Sequence, residues 1–261
     1  MASITGKSPA GFYKDLVHVS NNNSGVDTTT RQLYDGNGNV TAIFLSDDVF
    51  KVQPNTDNTT GAFLVNNQSG SSILSVDTTS SLVKTGASQV NALTLYKEMG
   101  LYDFSPSLGY HYPLIANTMF IPTGATAFAG DIDWGNGTDP ATSLDVSGLT
   151  AQENAIAVYW YLENNITLDS VRYIATADAA QTLNFHLFAY DLDVSTNHGD
   201  LSNGVVHANA SVSATSTTVK TGTFTLDEED IDASKVVIGF VENQSGTSDI
   251  SCSFNIKYHI R

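Results

Sequence analysis

Apolar and polar residues alternate without a break at the end of the sequence. The apolar positions are Ile250, Cys252, Phe254, Ile256, Tyr258 and Ile260, and a polar residue follows each of them. A period of two is typical of a strand with one buried face. The pattern therefore predicts a half-buried antiparallel strand over residues 250–261, and it places Cys252 on the buried face as a small hydrophobic residue.

Seven earlier segments also have strand-like patterns: 127–134, 156–162, 167–177, 182–192, 204–214, 217–226 and 235–243. Turn-forming Gly, Asn and Asp residues separate them. Together with the final strand they favour an all-β chain with a C-terminal antiparallel β-sandwich of jelly-roll type. Residues 236–241 are apolar on both faces, so we expect both to be covered, by the sandwich itself or by a neighbouring subunit.

Two segments carry helix signals instead. Within residues 88–99, Val90, Leu93 and Tyr96 have helical spacing, and Gly100 is a suitable stop. Residues 225–228 read Thr-Leu-Asp-Glu, which has the form of a capping box. The sequence therefore predicts a helical turn at each place.

The first 88 residues consist of short apolar bursts between turn clusters such as Asp-Gly-Asn-Gly at 35–38. This region has too few large apolar residues to stand alone, and three intertwined copies could share a core. Residues 89–122 are rich in aromatic side chains, which we expect either at a junction between subunits or regions, or plugging the base of the sandwich. The predicted organisation is a β-rich stem at 1–88, an aromatic connector at 89–122 and a sandwich head at 123–261.

Acidic residues outnumber basic ones 27 to 11, which gives a net charge of −16. This balance argues against binding to nucleic acid or to anionic lipid, because both require Lys and Arg. Residues 1–130 hold nine acidic and six basic residues, whereas residues 131–261 hold eighteen and five. The sequence opens without a secretory signal and has no membrane-spanning apolar segment, so we expect folding in a cytosol and no membrane insertion.

A loop rich in oxygen donors is the first candidate for bound metal. Asp131, Asp133 and Asp139, with Asn136, could hold Ca²⁺. The loop departs from the order of an EF-hand, because Gly135 and Asn136 stand where a ligand and then glycine are required. The alternative is that Asp131 and Asp133 are solvated acids on the outer face of a strand. A similar loop at 191–200 is open to both interpretations. Calcium is thus the one cofactor candidate.

The sequence gives weaker evidence for other kinds of functional site. The six histidines show no zinc-ligand spacing, and we interpret His186 as a surface or interface residue. Nucleophile-elbow, Walker and Rossmann motifs are absent. Acidic pairs for glycoside hydrolysis could be drawn from Asp131, Asp133, Asp191 and Asp193, but an acidic chain supplies such pairs by chance. We therefore predict that the chain is not an enzyme.

Two tryptophans are candidates for a carbohydrate-binding site. Trp134 and Trp160, with nearby tyrosines, could stack on sugar rings, but the commoner role of tryptophan in a sandwich is to fill the core.

Three segments give the chain a family resemblance. The sequence Phe-Leu-Val-Asn-Asn at 63–67, followed by Ser-Val-Asp-Thr-Thr at 75–79, resembles stem segments of trimeric phage fibres. The ending Phe-Asn-Ile-Lys-Tyr-His-Ile-Arg at 254–261 is similar to the heads of such proteins. The chain thus resembles structural proteins of tailed-phage virions, such as head fibres, capsid decoration proteins and tail or neck fibres. No functional residue is carried over from this resemblance.

The resemblance implies a homotrimer on the virion surface, assembled in the host cytoplasm. Residues 1–88 would attach to capsid or tail proteins, and the head would point outward, where a host surface glycan is a further candidate partner. A near-neutral attached end and an acidic displayed end agree with the charge distribution. The alternative function is a carbohydrate-binding, receptor-binding tail fibre or a depolymerase-type module.

Overall fold

The computed structural model describes residues 13–22, 24–86, 90–116, 132–146, 157–195 and 199–261. The chain divides into two compact units, Met1–Ala92 and Leu93–Arg261. Strands dominate both units, and Tyr13–Asp15 form a short 3₁₀ helix. Among these residues there is no helix with the length and apolarity that crossing a bilayer requires.

The described residues of the second unit form eleven strands. They are β9 (Thr94–Phe104), β10 (His111–Pro113), β11 (Trp160–Tyr161), β12 (Ile166–Ala177), β13 (Gln181–Leu192), β14 (Leu201–Ala214), β15 (Lys220–Thr223), β16 (Thr225–Leu226), β17 (Asp230–Ile231), β18 (Lys235–Asn243) and β19 (Ile250–Ile260). One sheet has the order β10-β18-β13-β14-β16, with β11 also on β18. The other has the order β15-β12-β19-β9, with β17 also on β12. All of these pairings are antiparallel.

A hydrophobic core lies between the two sheets. Phe185 and Val241 contribute from the first sheet, and Val171, Phe254 and Ile256 from the second. Alternation along the strands explains this arrangement, because every second side chain points to the same face. The all-β fold with a C-terminal antiparallel sandwich is therefore confirmed. Cys252 is buried in this core, as predicted, and burial raises the pKa of its thiol to about 12.

A second core covers the opposite face of the first sheet. Phe188, Tyr190 and Phe240 project from that face and pack with Trp134 and Val158, which lie outside the strands. The sheet is thus buried on both sides, and β18 is apolar throughout its middle for this reason. The prediction that residues 236–241 are covered on both faces is confirmed, and the cover comes from the same chain.

The long strands agree with the sequence patterns at 167–177, 182–192, 204–214, 235–243 and 250–261. Three other predictions are wrong. Residues 94–104 form an edge strand on β19 instead of a helical turn, and Thr225–Leu226 pairs with β14 instead of capping a helix. Residues 132–134 are not in a strand, and residues 127–131 lie outside the described part of the chain.

Strand pairing overrides local helix signals in these places. β9 makes nine residue pairs with β19, so the backbone groups that face β19 are satisfied by the sheet. The first part of the predicted connector therefore belongs to the sandwich. Tyr96, Tyr102 and Tyr110 are exposed within the chain, so these three do not plug the base of the sandwich. Phe104 does pack on Tyr112, with ring centroids 4.8 Å apart.

The described residues of the first unit form two four-stranded antiparallel sheets. One contains β1 (His18–Val19), β2 (Arg31–Tyr34), β3 (Val40–Leu45) and β4 (Phe50–Val52). The other contains β5 (Phe63–Asn66), β6 (Ser72–Asp77), β7 (Leu82–Thr85) and β8 (Val90–Asn91). Each sheet joins its strands in sequence order, because tight turns connect neighbouring strands. In the turn at Asp35, for example, the side-chain carboxylate accepts hydrogen bonds from the Asn37 and Asn39 amides.

The first unit buries few of its side chains within one chain. Among its described side chains, only Ser46, Ser75 and Asp77 are buried. On the second sheet, the cross-strand pairs of β5, β6 and β7 bring five apolar residues to one face: Phe63, Val65, Leu74, Val76 and Val83. Phe63 and Val65 remain about 40% exposed. We call these five residues the N-terminal apolar face.

Asp77 closes the turn between β6 and β7. Its carboxylate accepts hydrogen bonds from the Thr79 and Ser80 amides and from Lys84 Nζ, the last at 2.7 Å. The Lys84 ammonium, followed by the Ser80 amide, lowers the pKa of this carboxyl below its ordinary value of 3.8. Such a group stabilises the folded state above its unfolded pKa, and this contribution is lost as the pH falls through the folded pKa.

We expect Asp77→Asn to weaken the β6–β7 hairpin at neutral pH and to remove part of its acid sensitivity. Hydrogen exchange of the β6 and β7 amides, measured from neutral pH to below 3.8, checks this. The difference between wild type and variant should shrink as the pH falls, because protonation removes the same charge. Asp57→Asn, at an exposed position of the same unit, is the control. A difference that persists unchanged in acid contradicts the assignment.

Candidate metal centre

The acidic loop singled out in the sequence lies beside the second core. Asp131 is outside the described residues. Asp133 Oδ1 accepts the Gly135 amide at 3.0 Å, so this carboxylate shapes the turn. Asp139 lies across the loop, with its Oδ1 3.7 Å from His186 Nδ1. The calcium site at Asp131, Asp133 and Asp139 therefore stays a prediction, and Asp139 acquires a histidine neighbour that the sequence did not indicate.

The other acidic loop uses its carboxylates within the protein. Asp191 bonds Lys235 Nζ at 2.6 Å and Asn203 Nδ2 at 2.8 Å. Asp193 accepts the Ser195 amide, and Asp200 accepts the Val146 amide at 2.8 Å. These contacts hold the ends of β13 and β14 and the neighbouring loop together.

Three adjacent strands bring two histidines and a glutamate together. His111 on β10 is the cross-strand partner of Glu242 on β18. His186 on β13 is opposite Phe240, two residues before Glu242 on the same strand. Residues two apart on a strand share a face, so all three polar side chains lie on the face that carries the second core.

The cluster is buried. The exposed fractions of His111, His186 and Glu242 are 1%, 6% and 4%. One ligand atom from each of the three lies within 4.8 Å of the others. His111 Nε2 is 4.0 Å from Glu242 Oε2, and the two histidine rings are 5.2 Å apart between centroids. Asp139, with 59% of its side chain exposed, stands at the open edge of the cluster beside His186.

The surrounding hydrogen bonds fix the roles of the ligand atoms. His111 Nδ1 is 3.1 Å from the Gly135 carbonyl oxygen, which can only accept, so Nδ1 carries the proton. His111 Nε2 then has a free lone pair in the neutral ring. Glu242 Oε2 accepts Asn184 Nδ2 at 3.0 Å and Gln244 Nε2 at 3.3 Å. The carboxylate is thereby held as an acceptor that faces His111.

Three ring nitrogens of the cluster have no hydrogen-bond partner among the described residues. They are His111 Nε2 and both nitrogens of His186, and all three are inaccessible to solvent. Burial lowers the pKa of His111. Burial, followed by the neighbouring His111, lowers the pKa of His186 to about 4. Both rings are therefore neutral near pH 7, which is the form in which histidine binds metal.

The interpretation of His186 as a surface or interface residue is wrong, because it lies under the Asp139 loop. Local spacing could not reveal the cluster, since its ligands come from strands far apart in sequence. One signal was available. Glu242 ends an apolar strand expected to be covered on both faces, and a charged residue there requires a partner.

The tryptophans do not form a sugar platform. Trp134 and Trp160 are both buried, and Trp134 packs on Phe240 with ring centroids 5.7 Å apart. Their interpretation as core residues is confirmed. Tyr161 is the half-exposed aromatic residue beside them.

Comparison of the chain with models of known protein families gives no match, and comparison with curated proteins gives none either. Functional inference therefore depends on the residues and geometry of the chain itself.

Proposed function

We propose that this chain is a homotrimeric structural protein of a virion, a fibre or capsid decoration protein, attached through its first unit and displaying the sandwich unit. The observation that carries the proposal is the N-terminal apolar face. A unit that buries only three described side chains by itself needs further cover for its apolar residues. Other copies of the chain provide that cover in a symmetric assembly.

The two units differ in the way this function requires. The sandwich unit builds its own double core within one chain. The first unit has two small sheets with exposed apolar residues and is suited to association. The trimeric state and the virion location come from the resemblance of residues 63–67 and 75–79 to fibre stems. An acidic head also keeps displayed particles apart in solution.

The mass of the full chain in solution tests the assembly, together with a charge placed on the apolar face. We expect a particle of three times the chain mass of 27.8 kDa by light scattering at micromolar concentration. Val65→Lys should dissociate it, because three buried ammonium groups in one interface cannot be neutralised. Far-ultraviolet circular dichroism should show that the strands of the sandwich unit remain.

Leu64→Lys is the matched control. Leu64 pairs with Ser75 and therefore lies on the opposite face of β5, where it is half exposed. This variant should keep the mass of the wild type. A wild-type chain that is a stable monomer at micromolar concentration would overturn the trimer, and dissociation by Leu64→Lys alone would overturn the choice of face. Labelling of intact particles that places the first unit outermost would overturn the proposed orientation.

A further inference from the structure

We propose that His111, His186 and Glu242 bind a divalent transition-metal ion of the zinc class in the sandwich unit, with the Asp139 carboxylate at the open side. This inference does not depend on the virion function. The first observation is that two hydrogen-bond acceptors lie opposite each other without a donor between them. His111 Nε2 and Glu242 Oε2 face each other at 4.0 Å, and both offer lone pairs.

Buried acceptors without a donor are costly, because they have lost water and gained nothing in return. Among the described residues, His111 Nε2 has no hydrogen-bond partner, and neither ring nitrogen of His186 has one. A cation at the centre of the cluster binds His111 Nε2, the Glu242 carboxylate and the unprotonated nitrogen of His186, while the other nitrogen of His186 keeps its proton. A bound Zn²⁺ lies about 2.0–2.2 Å from its ligands, so shifts of about 1 Å from the present separations complete the site.

The donor set selects the class of ion. Two imidazole nitrogens and one carboxylate suit zinc, cobalt, nickel, copper and iron, whereas calcium and magnesium require oxygen ligands. Glu242 and Asp139 contribute two carboxylate groups, and two carboxylates balance the charge of a divalent ion. Three buried protein ligands with a more exposed fourth position resemble the open coordination of metal sites that exchange a ligand.

The outer contacts needed by such a site are already present. The Gly135 carbonyl orients His111, and Asn184 and Gln244 hold Glu242. Partners of this kind fix the tautomer and rotation of metal ligands. Because His111, His186 and Glu242 lie on three neighbouring strands, a bound ion also ties the short strand β10 to β18 and β13. The ion should therefore stabilise the sandwich unit.

Zinc addition to full-length protein, freed of metal with EDTA, tests the proposal. At an ion concentration one hundred times the dissociation constant, we expect the melting temperature of the sandwich unit to rise by about 5–10 °C. Elemental analysis should give one ion per chain. Co²⁺ in place of zinc should show visible absorption bands from a site with nitrogen ligands. Calcium should produce no shift.

Variants distinguish this site from adventitious binding. Glu242→Gln preserves size and hydrogen-bonding capacity, so it should fold without metal but lose the zinc-induced shift. His186→Gln should do the same. His259→Gln removes a histidine that pairs with Asp169 outside the cluster, and it should keep the full response. The proposal is overturned if zinc gives no shift, if Glu242→Gln responds like wild type, or if only calcium stabilises the protein.

Discussion

Phe254→Ala is expected to lower the unfolding free energy of the sandwich unit by about 3–5 kcal/mol, the cost of removing a large buried aromatic side chain. Phe254 lies in the middle of β19 and is fully buried. Its ring is 4.8 Å from that of Phe224 and 5.3 Å from that of Phe185, both between centroids. The truncation therefore opens a cavity between the two sheets.

A glycine on the opposite sheet leaves the space that the Phe254 ring fills. A Cβ atom on Gly239 would lie 2.9 Å from the Phe254 ring and 3.2 Å from Met99 Sδ. The absence of a side chain at Gly239 thus makes room for the ring of Phe254. Because these neighbours are held by strands on both sides, the cavity left by alanine cannot collapse readily, which favours the upper part of the expected range.

Urea denaturation followed by tryptophan fluorescence measures this effect, since Trp134 and Trp160 both lie in the sandwich unit. Tyr102→Ala on the edge strand β9 is the control, because its side chain is 84% exposed. We expect that variant to stay within about 0.5 kcal/mol of wild type. A cost below about 1 kcal/mol for Phe254→Ala would contradict the face-to-face packing of the two sheets.

The long central strands could be predicted from sequence because their periodicity is strong. In β19, four alternate residues from Ile250 to Ile256 are buried, as the pattern requires. Strand β9 was missed for a physical reason. Val90, Leu93 and Tyr96 satisfy helical spacing by accident, and the backbone bonds that decide the matter come from β19, more than 150 residues later.

The candidate site was harder to predict than the fold. The sequence indicates Asp139 only as part of a calcium loop, and it gives none of the histidines a suitable partner nearby along the chain. Strand order brings together β10, β18 and β13, and this order is set by the packing of the whole sandwich. A polar residue on a strand covered on both faces is the feature that could have indicated Glu242 in advance.

Gly135→Ala should disturb both stability and the cluster, because this glycine closes the loop over it. Its φ of +99° is a conformation that side chains disfavour, and a Cβ atom would lie 2.6 Å from the Ala141 amide nitrogen. That amide donates to the Trp134 carbonyl at 2.8 Å and closes the loop. We expect a loss of about 1–3 kcal/mol of unfolding free energy from the strained backbone.

The same change should weaken metal binding, because the Gly135 carbonyl accepts both the backbone amide and Nδ1 of His111, at 3.0 and 3.1 Å. Displacing this acceptor frees the ring to rotate, and loss of such an outer contact typically costs 10–100-fold in metal affinity. Zinc titration and urea denaturation of the same protein measure the two effects separately.

Gly137→Ala provides the comparison within the same loop. A Cβ atom at Gly137 would come no closer than 3.7 Å to the Asp139 carbonyl oxygen, which is ordinary contact. Its stability and zinc affinity should therefore stay near those of wild type. If both glycine variants behave alike, the loop does not orient His111 through Gly135. If Gly135→Ala loses stability but binds zinc with unchanged affinity, the carbonyl contact is structural and does not hold the ring for metal.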